Sequence, residues 1–357
     1  MENRDKLTIC FLWGGQSSEN QVSRNSAVSI LREIDRDKYN IVCVGITSRG
    51  GGGWLVTDAD TDEIADGSWE NRKDNKKVVL PPASSSDGLI SEDGKKIKVD
   101  LIWPVLHGKK GEDGTMQGLF ELSGIKYVGC GVASSACCMD KAITKMLVSN
   151  INVKQAKSYI AGKTDFESDP ERVVSDTAEY FSGRWPLFVK PASSGSSVGI
   201  SKAGNLRELK AAYETAFKED GKVIAEEAVI GQEVETAVLG NEAPLVSAVG
   251  EIISSGEWYD YNSKYNNLQS KTVIPARIDD DTAERIKKQA LEIYKLMGCR
   301  DLARVDFFVR TDGEIIFNEI NTLPGFTDIS MYPKLWLHEG LTYKKLIDEI
   351  IKYAMER

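Results

Sequence analysis

The sequence predicts an α/β fold, in part α+β, that begins with an open and mostly parallel sheet. Twice in the first 125 residues an apolar run ends in a glycine-rich turn before a helical pattern, at 7–15 and at 99–114. The run 99–106 is almost continuously apolar, which is typical of a parallel strand buried on both faces. A length of 357 residues, at roughly 150 residues per domain, predicts two or three domains. Ligands collect at the carboxyl ends of parallel strands, so the two turns are the first candidate site.

Apolar spacing predicts the elements of the N-terminal part. We expect strands at 7–13, 41–46 and 99–106, and a helix at 115–122. A helix between the first two strands is predicted because Ala27, Ile30, Leu31 and Ile34 recur at helical spacing. The segment 57–98 is polar, mixes charges and has no apolar period, so we expect a solvated insertion there.

The second part of the chain alternates helices and strands in a different order. After about residue 140 we predict a helix carrying Lys141, a strand at 158–161, a helix at 171–181, strands at 186–191, 223–230 and 234–239, a helix over 279–297, strands at 304–309 and 315–321, and a helix at 342–355. The long helix is well delimited, because acidic residues stand at its start and Gly298 at its end.

Composition and charge exclude several classes of protein. Apolar residues make up 41% and charged residues 28%, and 45 basic against 54 acidic residues give a net charge of −9. Such a chain has no general field that attracts nucleic acid or an anionic membrane. The longest apolar stretch is far below the roughly 20 residues of a membrane span, and the charged first residues are unlike a secretory signal. We expect a cytoplasmic protein that binds neither nucleic acid nor membrane.

The cysteines and histidines limit the metal chemistry. Six cysteines form no CxxC pair and are expected to be small residues that stay reduced. The sequence contains two histidines, His107 and His338, which argues against a histidine-rich zinc site. Any metal is therefore expected to be a hard cation held by oxygen ligands.

A predicted hairpin places two carboxylates opposite each other. The Asp-Gly turn at 312–313 joins two strand-like runs, and the loop centred there pairs residues whose numbers sum to 625. Asp306 then faces Glu319, and Arg304 faces Asn321, all on one face of the hairpin. The other face is expected to be filled by Val305, Phe307, Ile316 and Ile320.

Two carboxylates in that position need compensation. Directly opposed side chains have Cβ atoms about 4.5–5.5 Å apart, and like charges there are destabilising. Magnesium provides the compensation well, because it prefers carboxylate and phosphate oxygens. The alternative is a solvated face with two unpaired acids.

A second candidate site follows the strand that ends at Lys190. The loop 192–199 is rich in glycine and serine, and Gly195 and Gly199 permit a close approach of backbone N–H groups to phosphate. It is not a Walker A loop, and 129–134 lacks the third small residue of a dinucleotide fingerprint. Taken alone, such a loop is more often only a loop. The lysine and the downstream acidic hairpin favour a nucleotide phosphate site.

These residues resemble a known family. The resemblance to the ATP-grasp layout is carried by Lys141, Lys190 with Gly195-Ser196-Ser197-Val198-Gly199, Glu226 to Glu233, Arg304-x-Asp306 and Glu319-x-Asn321. Three longer motifs restrict the resemblance to one family within that layout. They are Gly14-Gly15-x-Ser17-x-Glu19-x-x-Val22-Ser23, Pro104-Val105-Leu106-His107-Gly108-x-x-Gly111-Glu112-Asp113-Gly114-Thr115 and Asn321-Thr322-x-Pro324-Gly325-Phe326-Thr327. Together they resemble the D-alanine–D-alanine ligase family, including its D-Ala–D-Ser and D-Ala–D-lactate relatives.

The resemblance implies a fold and a reaction. It implies an ATP-grasp fold with a Rossmann-like N-terminal domain at 1–128, a central subdomain at 129–230 and a C-terminal subdomain at 231–357. ATP phosphorylates the carboxylate of a first D-alanine, and the amine of a second attacks the acylphosphate, in peptidoglycan precursor synthesis. The cofactors implied are ATP and two Mg²⁺ ions, with Mn²⁺ as a possible substitute. The assembly implied is a homodimer, and the partners implied are small molecules.

The resemblance also assigns site residues. The catalytic set is Glu19, Ser196, Tyr265, Arg304 and Gly325. The substrate-binding set is Glu19, Val22, His107, Lys264, Ser330 and Met331. The ATP-binding set is Lys141, Lys190, Ser196, Ser197, Glu226, Glu227, Val229, Glu233, Lys264, Phe308, Asn318 and Glu319. The metal ligands are Asp306, Glu319 and Asn321. The segment 258–271 is similar to the family's loop that closes over the phosphates.

The sequence does not decide the identity of the second substrate. Met331 and Tyr265 favour D-alanine, because D-Ser and D-lactate relatives often carry arginine at the first position and depsipeptide-forming relatives lose the tyrosine. Against this, 137–141, 259–261 and 275–279 resemble the vancomycin-resistance D-Ala–D-Ser group. A catalytically silent ATP-binding sensor is the alternative from another class, and the intact catalytic set argues against it. A dinucleotide oxidoreductase is weaker still, because the fingerprint is missing.

Overall fold

Three β-sheets organise the chain in this computed structural model, which describes residues 6–83, 87–195, 198–253 and 271–357. Within these ranges the sheets contain eight, four and five strands. Helices pack against each sheet, so the predicted mixed α/β class is confirmed.

The first sheet is open and parallel at its centre. Its strands are β1 (Leu7–Gly14), β2 (Tyr39–Ile46), β3 (Trp54–Val56), β4 (Lys76–Val79), β5 (Gly88–Ser91), β6 (Lys96–Lys98), β7 (Leu101–Val105) and β8 (Lys126–Tyr127). Its helices are α1 (Asn20–Glu33), α2 (Thr61–Asp66) and α3 (Thr115–Ser123). The order is β6-β5-β4-β3-β2-β1-β7-β8, with β1 parallel to both β2 and β7. The turns after β1 and β7 therefore lie side by side, as the glycine-rich runs predicted.

The expectation of a solvated insertion at 57–98 was wrong. This segment adds β4, β5 and β6 to the sheet and buries Trp69 and Leu89 completely. Trp69 packs over Gly45, where an added Cβ would lie 2.1 Å from the indole ring. Strands of three or four residues are too short to show a period, which is why the sequence pattern missed them.

The middle of the chain forms a separate antiparallel sheet. The elements are α4 (Val132–Met139), α5 (Lys141–Val148), β9 (Ser158–Gly162), α6 (Lys163–Ser168), α7 (Pro170–Tyr180), β10 (Leu187–Pro191), β11 (Ser201–Ala203), α8 (Leu206–Ala216) and β12 (Lys222–Glu227). The order is β11-β10-β12-β9, and α7 and α8 cover one face around the buried Tyr213. Lys190 and Glu226 thus lie on adjacent strands.

The last sheet carries the predicted hairpin. The elements are β13 (Gln232–Leu239), β14 (Leu245–Ile253), β15 (Lys271–Val273), α9 (Asp280–Leu296), β16 (Leu302–Val309), β17 (Ile315–Asn321), α10 (Met331–His338) and α11 (Tyr343–Met355). The order is β15-β14-β13-β16-β17, with every neighbouring pair antiparallel. The helix α9 begins at Asp279, whose carboxylate accepts the N–H of Thr282 at 2.8 Å.

The two ends of the chain share one hydrophobic core. Side chains of α1 and β7 pack with those of α10 and α11 in a single cluster that includes Leu31, Trp103, Trp336 and Ile350. Asp348 of α11 also accepts a hydrogen bond from the hydroxyl of Tyr39 at 3.0 Å. The last helix therefore completes the packing of the first.

Two further sequence expectations can be compared with the structure. All six cysteines are free thiols, buried or half-buried, which confirms that reading of the composition. Among the helices of the described ranges, none combines the length and apolar character that a bilayer crossing needs.

Candidate active site

The candidate site is a cleft where the three sheets meet. Its walls come from the turns after β1 and β7, the loop after β10, and the strands β16 and β17 with the loop that follows them. The lining residues include Glu19, His107, Glu112, Lys141, Ser194, Glu235, Arg304, Glu319, Asn321, Gly325, Ser330 and Met331. Some of the residues that the sequence assigned to substrate, phosphate and metal thus line one cleft, although up to about 300 positions separate them in the chain.

The hairpin register confirms the predicted pairing at the site. Asp306 lies opposite Glu319, and Arg304 opposite Asn321. Beyond that point the register shifts by one residue, so that Phe308 pairs with Ile316. The uniform sum of 625 was therefore wrong towards the turn, because a β-bulge at Asn318 inserts an extra residue. The bulge also turns Phe317, rather than Ile316, into the core beside Phe307.

Arg304 neutralises Asp306 from the same strand. Its Nε and Nη2 each donate to an oxygen of Asp306 at 2.8 Å, and its Nε lies 2.9 Å from Glu235 Oε2. Burial by itself would lower the pKa of the guanidinium, but Asp306 and Glu235 outweigh it and raise that pKa above its usual value. Glu235 escaped the sequence analysis, although it is directly opposite Asp306 on β13.

The second carboxylate of the hairpin has a different cation. Lys141 Nζ lies 3.3 Å from Glu319 Oε2 and donates to the carbonyl oxygen of Ser194 at 2.9 Å. Asn321 Nδ2 donates to Asp306 at 3.0 Å. Asp306 is thus bound by Arg304, while Lys141 contacts Glu319, whose charge also acts on Arg304.

The donor set of the hairpin fits a magnesium ion. Within the described ranges no three His, Cys, Asp or Glu side chains converge as metal ligands. Asp306 and Glu319 nevertheless supply two carboxylates, and Asn321 supplies an amide oxygen from the same face. Magnesium is commonly held by one or two carboxylates together with substrate phosphates and water. The set therefore suits an ion that arrives with a nucleotide.

Two lysines hold a buried glutamate on the central sheet. Lys190 Nζ lies 2.5 Å from Glu226 Oε2, and Lys145 Nζ lies 2.7 Å from Glu226 Oε1. Burial opposes ionisation of Glu226, but the two cations outweigh it and lower the pKa of this carboxyl to about 2. Sequence analysis missed Lys145, whose signal was its position one helical turn after Lys141 on α5.

Glu19 lies against two glycine-rich turns. A Cβ on Gly108 would stand 2.6 Å from Glu19 Oε2, and a Cβ on Gly195 would stand 2.8 Å from the same atom. The side chain is 7% exposed, and Gly108 has φ +78°, which favours glycine. Both turns therefore approach this carboxylate through backbone alone.

His107 lies beside Glu19 and joins the N-terminal part to the last part of the chain. Its Nε2 is 3.3 Å from Ser26 Oγ, which also accepts the N–H of Phe326 at 3.2 Å. Burial lowers the pKa of His107 below its usual value, and Glu19 opposes that shift. A single hydroxyl thus connects the turn after β7 to the loop after β17.

Glu112 is a further carboxylate that the sequence analysis quoted without a role. Its Oε2 accepts the N–H of Gly108 at 2.6 Å. Burial, together with the neighbouring charge of Glu19, raises the pKa of Glu112 to about 8. This hydrogen bond fixes the turn that faces Glu19.

Ser330 and Met331 form the opposite end of the cleft, at the start of α10. Ser330 Oγ accepts the N–H of Thr327 at 3.0 Å, and a Cβ on Gly325 would stand 2.9 Å from it. Met331 is 5% exposed and packs over Gly250, where a Cβ would lie 2.7 Å from Sδ. The absence of a Cβ at Gly325 and Gly250 thus lets Ser330 and Met331 pack closely against the backbone at these positions.

The remaining assigned residues fall into two groups. Ser196, Ser197, Lys264 and Tyr265, with most of the predicted closing loop at 258–271, are outside the described residues. The cleft as described is not lined by Val22, Lys190, Glu226, Glu227, Val229, Glu233, Asp306, Phe308 or Asn318. Of these, Val22 is buried on α1, and Glu227 accepts the N–H of Lys157 at 2.9 Å. Glu233 and Phe308 are paired across β13 and β16.

Two family models together match nearly the whole chain. The D-ala D-ala ligase N-terminus matches residues 8–130, and the D-ala D-ala ligase C-terminus matches residues 147–352. The D-alanine–D-alanine ligase B of Clostridium tetani is 47% identical over 355 residues, which cover 98% of this chain and 94% of the relative. The D-alanine–D-alanine ligase of Acetivibrio thermocellus is 46% identical and covers 99% of this chain and 97% of its own.

Solved structures agree with the sequence matches. The VanG D-Ala:D-Ser ligase from Enterococcus faecalis has a TM-score of 0.88 and 40% identity, with 98% of this chain and 99% of that chain covered. The D-alanine–D-alanine ligase from Coxiella burnetii has a TM-score of 0.84 and 32% identity, with 99% and 96% covered. The ATP-grasp fold expected from the motifs is therefore confirmed. On these grounds the chain belongs to the D-alanine–D-alanine ligase family.

Proposed function

We propose that this protein uses ATP to join two D-alanines into D-alanyl-D-alanine for peptidoglycan precursor synthesis. The observation that carries the proposal is the cleft in which Glu19 and His107 face Arg304, Glu319 and Lys141. An anionic side chain that can bind an ammonium group thus stands across from cations that can bind phosphate and carboxylate. Both ends of an amino acid therefore find a partner of opposite charge.

The activation step needs two anions to be brought together. A carboxylate oxygen of the first D-alanine attacks the γ-phosphorus of ATP, the bond to the bridging oxygen breaks, and ADP leaves. Lys141 and Lys190 are point charges suited to the phosphates. Asp306, Glu319 and Asn321 would hold the magnesium ions, which neutralise phosphate charge when bound. Glu19 orients the ammonium group of this first substrate, with His107 beside it.

The ligation step forms the peptide bond. The amine of the second D-alanine attacks the carbonyl carbon of the acylphosphate, a proton leaves the nitrogen, and inorganic phosphate departs. Arg304 and the backbone N–H of Gly325 are assigned to the oxyanion of the tetrahedral intermediate. Ser330 and Lys264 are assigned to the carboxylate of the second substrate, and Ser196 and Tyr265 to the link from Glu19 to the closing loop. Closure excludes water that would hydrolyse the acylphosphate.

The wider assignments belong to the same proposal. The ATP site comprises Ser196, Ser197, Glu226, Glu227, Val229, Glu233, Lys264, Phe308 and Asn318 in addition to the two lysines. The three domains are 1–128, 129–230 and 231–357, and the protein is a cytoplasmic homodimer that takes two Mg²⁺ or Mn²⁺ ions. Six free thiols and a requirement for ATP are consistent with a reducing compartment.

A D-Ala–D-Ser ligase is the second candidate, and the 40% identity to a ligase of that name favours it. The second-substrate end of the cleft favours D-alanine instead, because Met331 presents an apolar side chain there. Methyl and hydroxymethyl groups differ by only about 1–3 kcal/mol in such a pocket. Direct competition between the two substrates is therefore needed to separate the candidates.

The test is ADP release with Mg-ATP and four substrate mixtures: D-alanine alone, D-alanine with D-serine, D-alanine with D-lactate, and no amino acid. Products are separated by chromatography. We expect turnover with D-alanine alone and the D-alanine dipeptide as product. Turnover mainly in the presence of D-serine would assign the chain to the second candidate. ATP binding without turnover in any mixture would contradict both and leave a nucleotide sensor.

A further inference from the structure

Lys145 is a buried cation that has no role in the proposed function, although it contacts Glu226, which belongs to the proposed ATP site. Its side chain is 9% exposed, and its Nζ contacts Glu226 Oε1 at 2.7 Å and the carbonyl oxygen of Ala156 at 3.4 Å. The backbone of Lys145 is also fixed, because its carbonyl accepts the side-chain amide of Gln155 at 3.1 Å. Both the ammonium group and the backbone of Lys145 are therefore held in place.

The charges of the cluster form an unequal set. Glu226 is 8% exposed in its side chain and contacts Lys145 and Lys190 through one oxygen each. Lys145, Lys190 and Glu226 together carry a net charge of +1 and are largely shielded from solvent. One of the two lysines is thus in excess of what the glutamate needs, and its natural counter-charge is an anion from outside.

Lys190 is the lysine that can leave. It follows the apolar part of β10 and stands just before the loop 192–195, at the predicted phosphate site. Lys145, in contrast, lies on α5 and has a second contact with protein backbone. If Lys190 turned to a phosphate without Lys145 present, Glu226 would remain as a buried, unpaired carboxylate. Such a charge is strongly destabilising.

We propose that Lys145 is a positioning residue which holds Glu226 ionised and in place, so that Lys190 is released to the nucleotide phosphates. The proposal rests on the ATP-binding part of the proposed function. The proposal explains why Lys145, which does not line the cleft, is buried beside Glu226 on β12. Lys145 itself need not contact ATP.

The test first removes the charge of Lys145 and then, in a second background, removes the Glu226 carboxylate that this charge neutralises. In Lys145→Met, Lys190 is the one contacting cation that Glu226 retains among the described residues, so we expect ATP affinity to fall about ten- to hundredfold. We expect kcat at saturating ATP to change less than KM for ATP. Lys145→Arg keeps the charge and should restore affinity to within a few-fold. Lys210→Met is the matched control, because that lysine pairs with Glu171 on the surface of the same subdomain.

The decisive measurement is a double-mutant cycle with Glu226→Gln. That variant loses the carboxylate, so adding Lys145→Met to it should have little further effect on the dissociation constant of a non-hydrolysable ATP analogue. Calorimetry gives the constant without turnover. The double variant also contains no unpaired buried acid, so it provides folded protein if Lys145→Met alone does not fold.

Two outcomes would overturn the proposal. One is an analogue affinity for Lys145→Met within twofold of the parent. The other is an equal loss in the parent and in the Glu226→Gln background, which would mean that Lys145 acts independently of Glu226. Failure of the proposed function looks different, because the parent protein itself would then fail to bind the analogue or to make the dipeptide.

Discussion

Asp306 and Glu319 lie directly opposite each other on adjacent strands, yet they are neutralised by different cations. Arg304 binds the first through two hydrogen bonds, and Lys141 lies 3.3 Å from the second. The opposed pair is therefore stable before any ligand arrives.

Glu319→Gln is expected to lower ligase turnover at least a hundredfold with magnesium present. The amide keeps the shape but removes the charge that a hard cation needs. ADP release across a magnesium titration measures this. Glu314→Gln is the control, since Glu314 is in the turn of the same hairpin and pairs with Lys154 away from the cleft. Near-parent turnover of Glu319→Gln would remove the metal site from this hairpin.

Met331→Arg is expected to change the preference between D-serine and D-alanine as second substrate by about tenfold or more. The side chain is buried at the start of α10 and lines the cleft, so a guanidinium there would favour a hydroxyl over a methyl group. The ratio of mixed dipeptide to D-alanine dipeptide in one competition assay is the measurement. Met331→Leu should keep the parent ratio. An unchanged ratio in Met331→Arg would contradict our assignment of this pocket.

Gly108→Ala is expected to raise KM for the first D-alanine tenfold or more. The new Cβ would stand 2.6 Å from Glu19 Oε2, and the positive φ of +78° adds backbone strain. Initial rates at varied D-alanine, analysed for two sites, measure the effect. Gly118→Ala is the control, because its Cβ meets nothing within 4 Å on helix α3. We expect that variant to be fully active and slightly more stable. Equal kinetics for Gly108→Ala and Gly118→Ala would show that binding of the first D-alanine by Glu19 does not depend on the shape of the turn at Gly108.

Asp301→Asn tests a buried acid that supports the fold. Asp301 is fully buried, its Oδ2 accepts the N–H of Gly129 at 2.8 Å, and burial raises its pKa from 3.8 to about 6. A folded-state pKa above the unfolded value gives stability that is complete below about 3.8 and lost as pH rises through about 6. The ionised carboxylate of Asp301 therefore lowers the free energy of unfolding at neutral pH.

The asparagine variant lacks this titration and can still accept the same hydrogen bond. Its φ of +62° also suits asparagine. Relative to the parent, we expect its free energy of unfolding to rise by about 1–2 kcal/mol between pH 4.5 and pH 7.5. Urea unfolding of both proteins at the two pH values gives the difference. A difference that is constant with pH would mean that Asp301 does not titrate in this range.

The sequence predicted the fold best where elements are long. The helix over 279–297 was recognised because its 17 residues show a clear apolar period. The strand β7, within 99–106, was recognised although it has only 5 residues, because the run around it is almost continuously apolar. The short strands β4 to β6 were missed, since a strand of three or four residues has no measurable period. Trp69 is buried because Gly45 leaves a gap on a distant strand, and no local pattern contains that relationship.

At the site, pairing across one hairpin was predictable and contacts between elements were not. The pairing of Asp306 with Glu319 followed from the turn, but the bulge at Asn318 did not, because a uniform register carries no signal for an extra residue. Lys145 and Glu235 bind residues that are 81 and 69 positions away. Their roles come from charge balance in the folded state, which spacing along the chain does not contain.

The core shared by α1 and α11 has a consequence for how the protein is made. Leu31 and Trp103 belong to the first third of the chain, while Trp336 and Ile350, which pack in the same cluster, are among its last residues. The face of the first-made sheet on which these residues pack therefore cannot be fully covered before α10 and α11 have been synthesised. Until then, Leu31 and Trp103 lack the packing partners that these two helices supply.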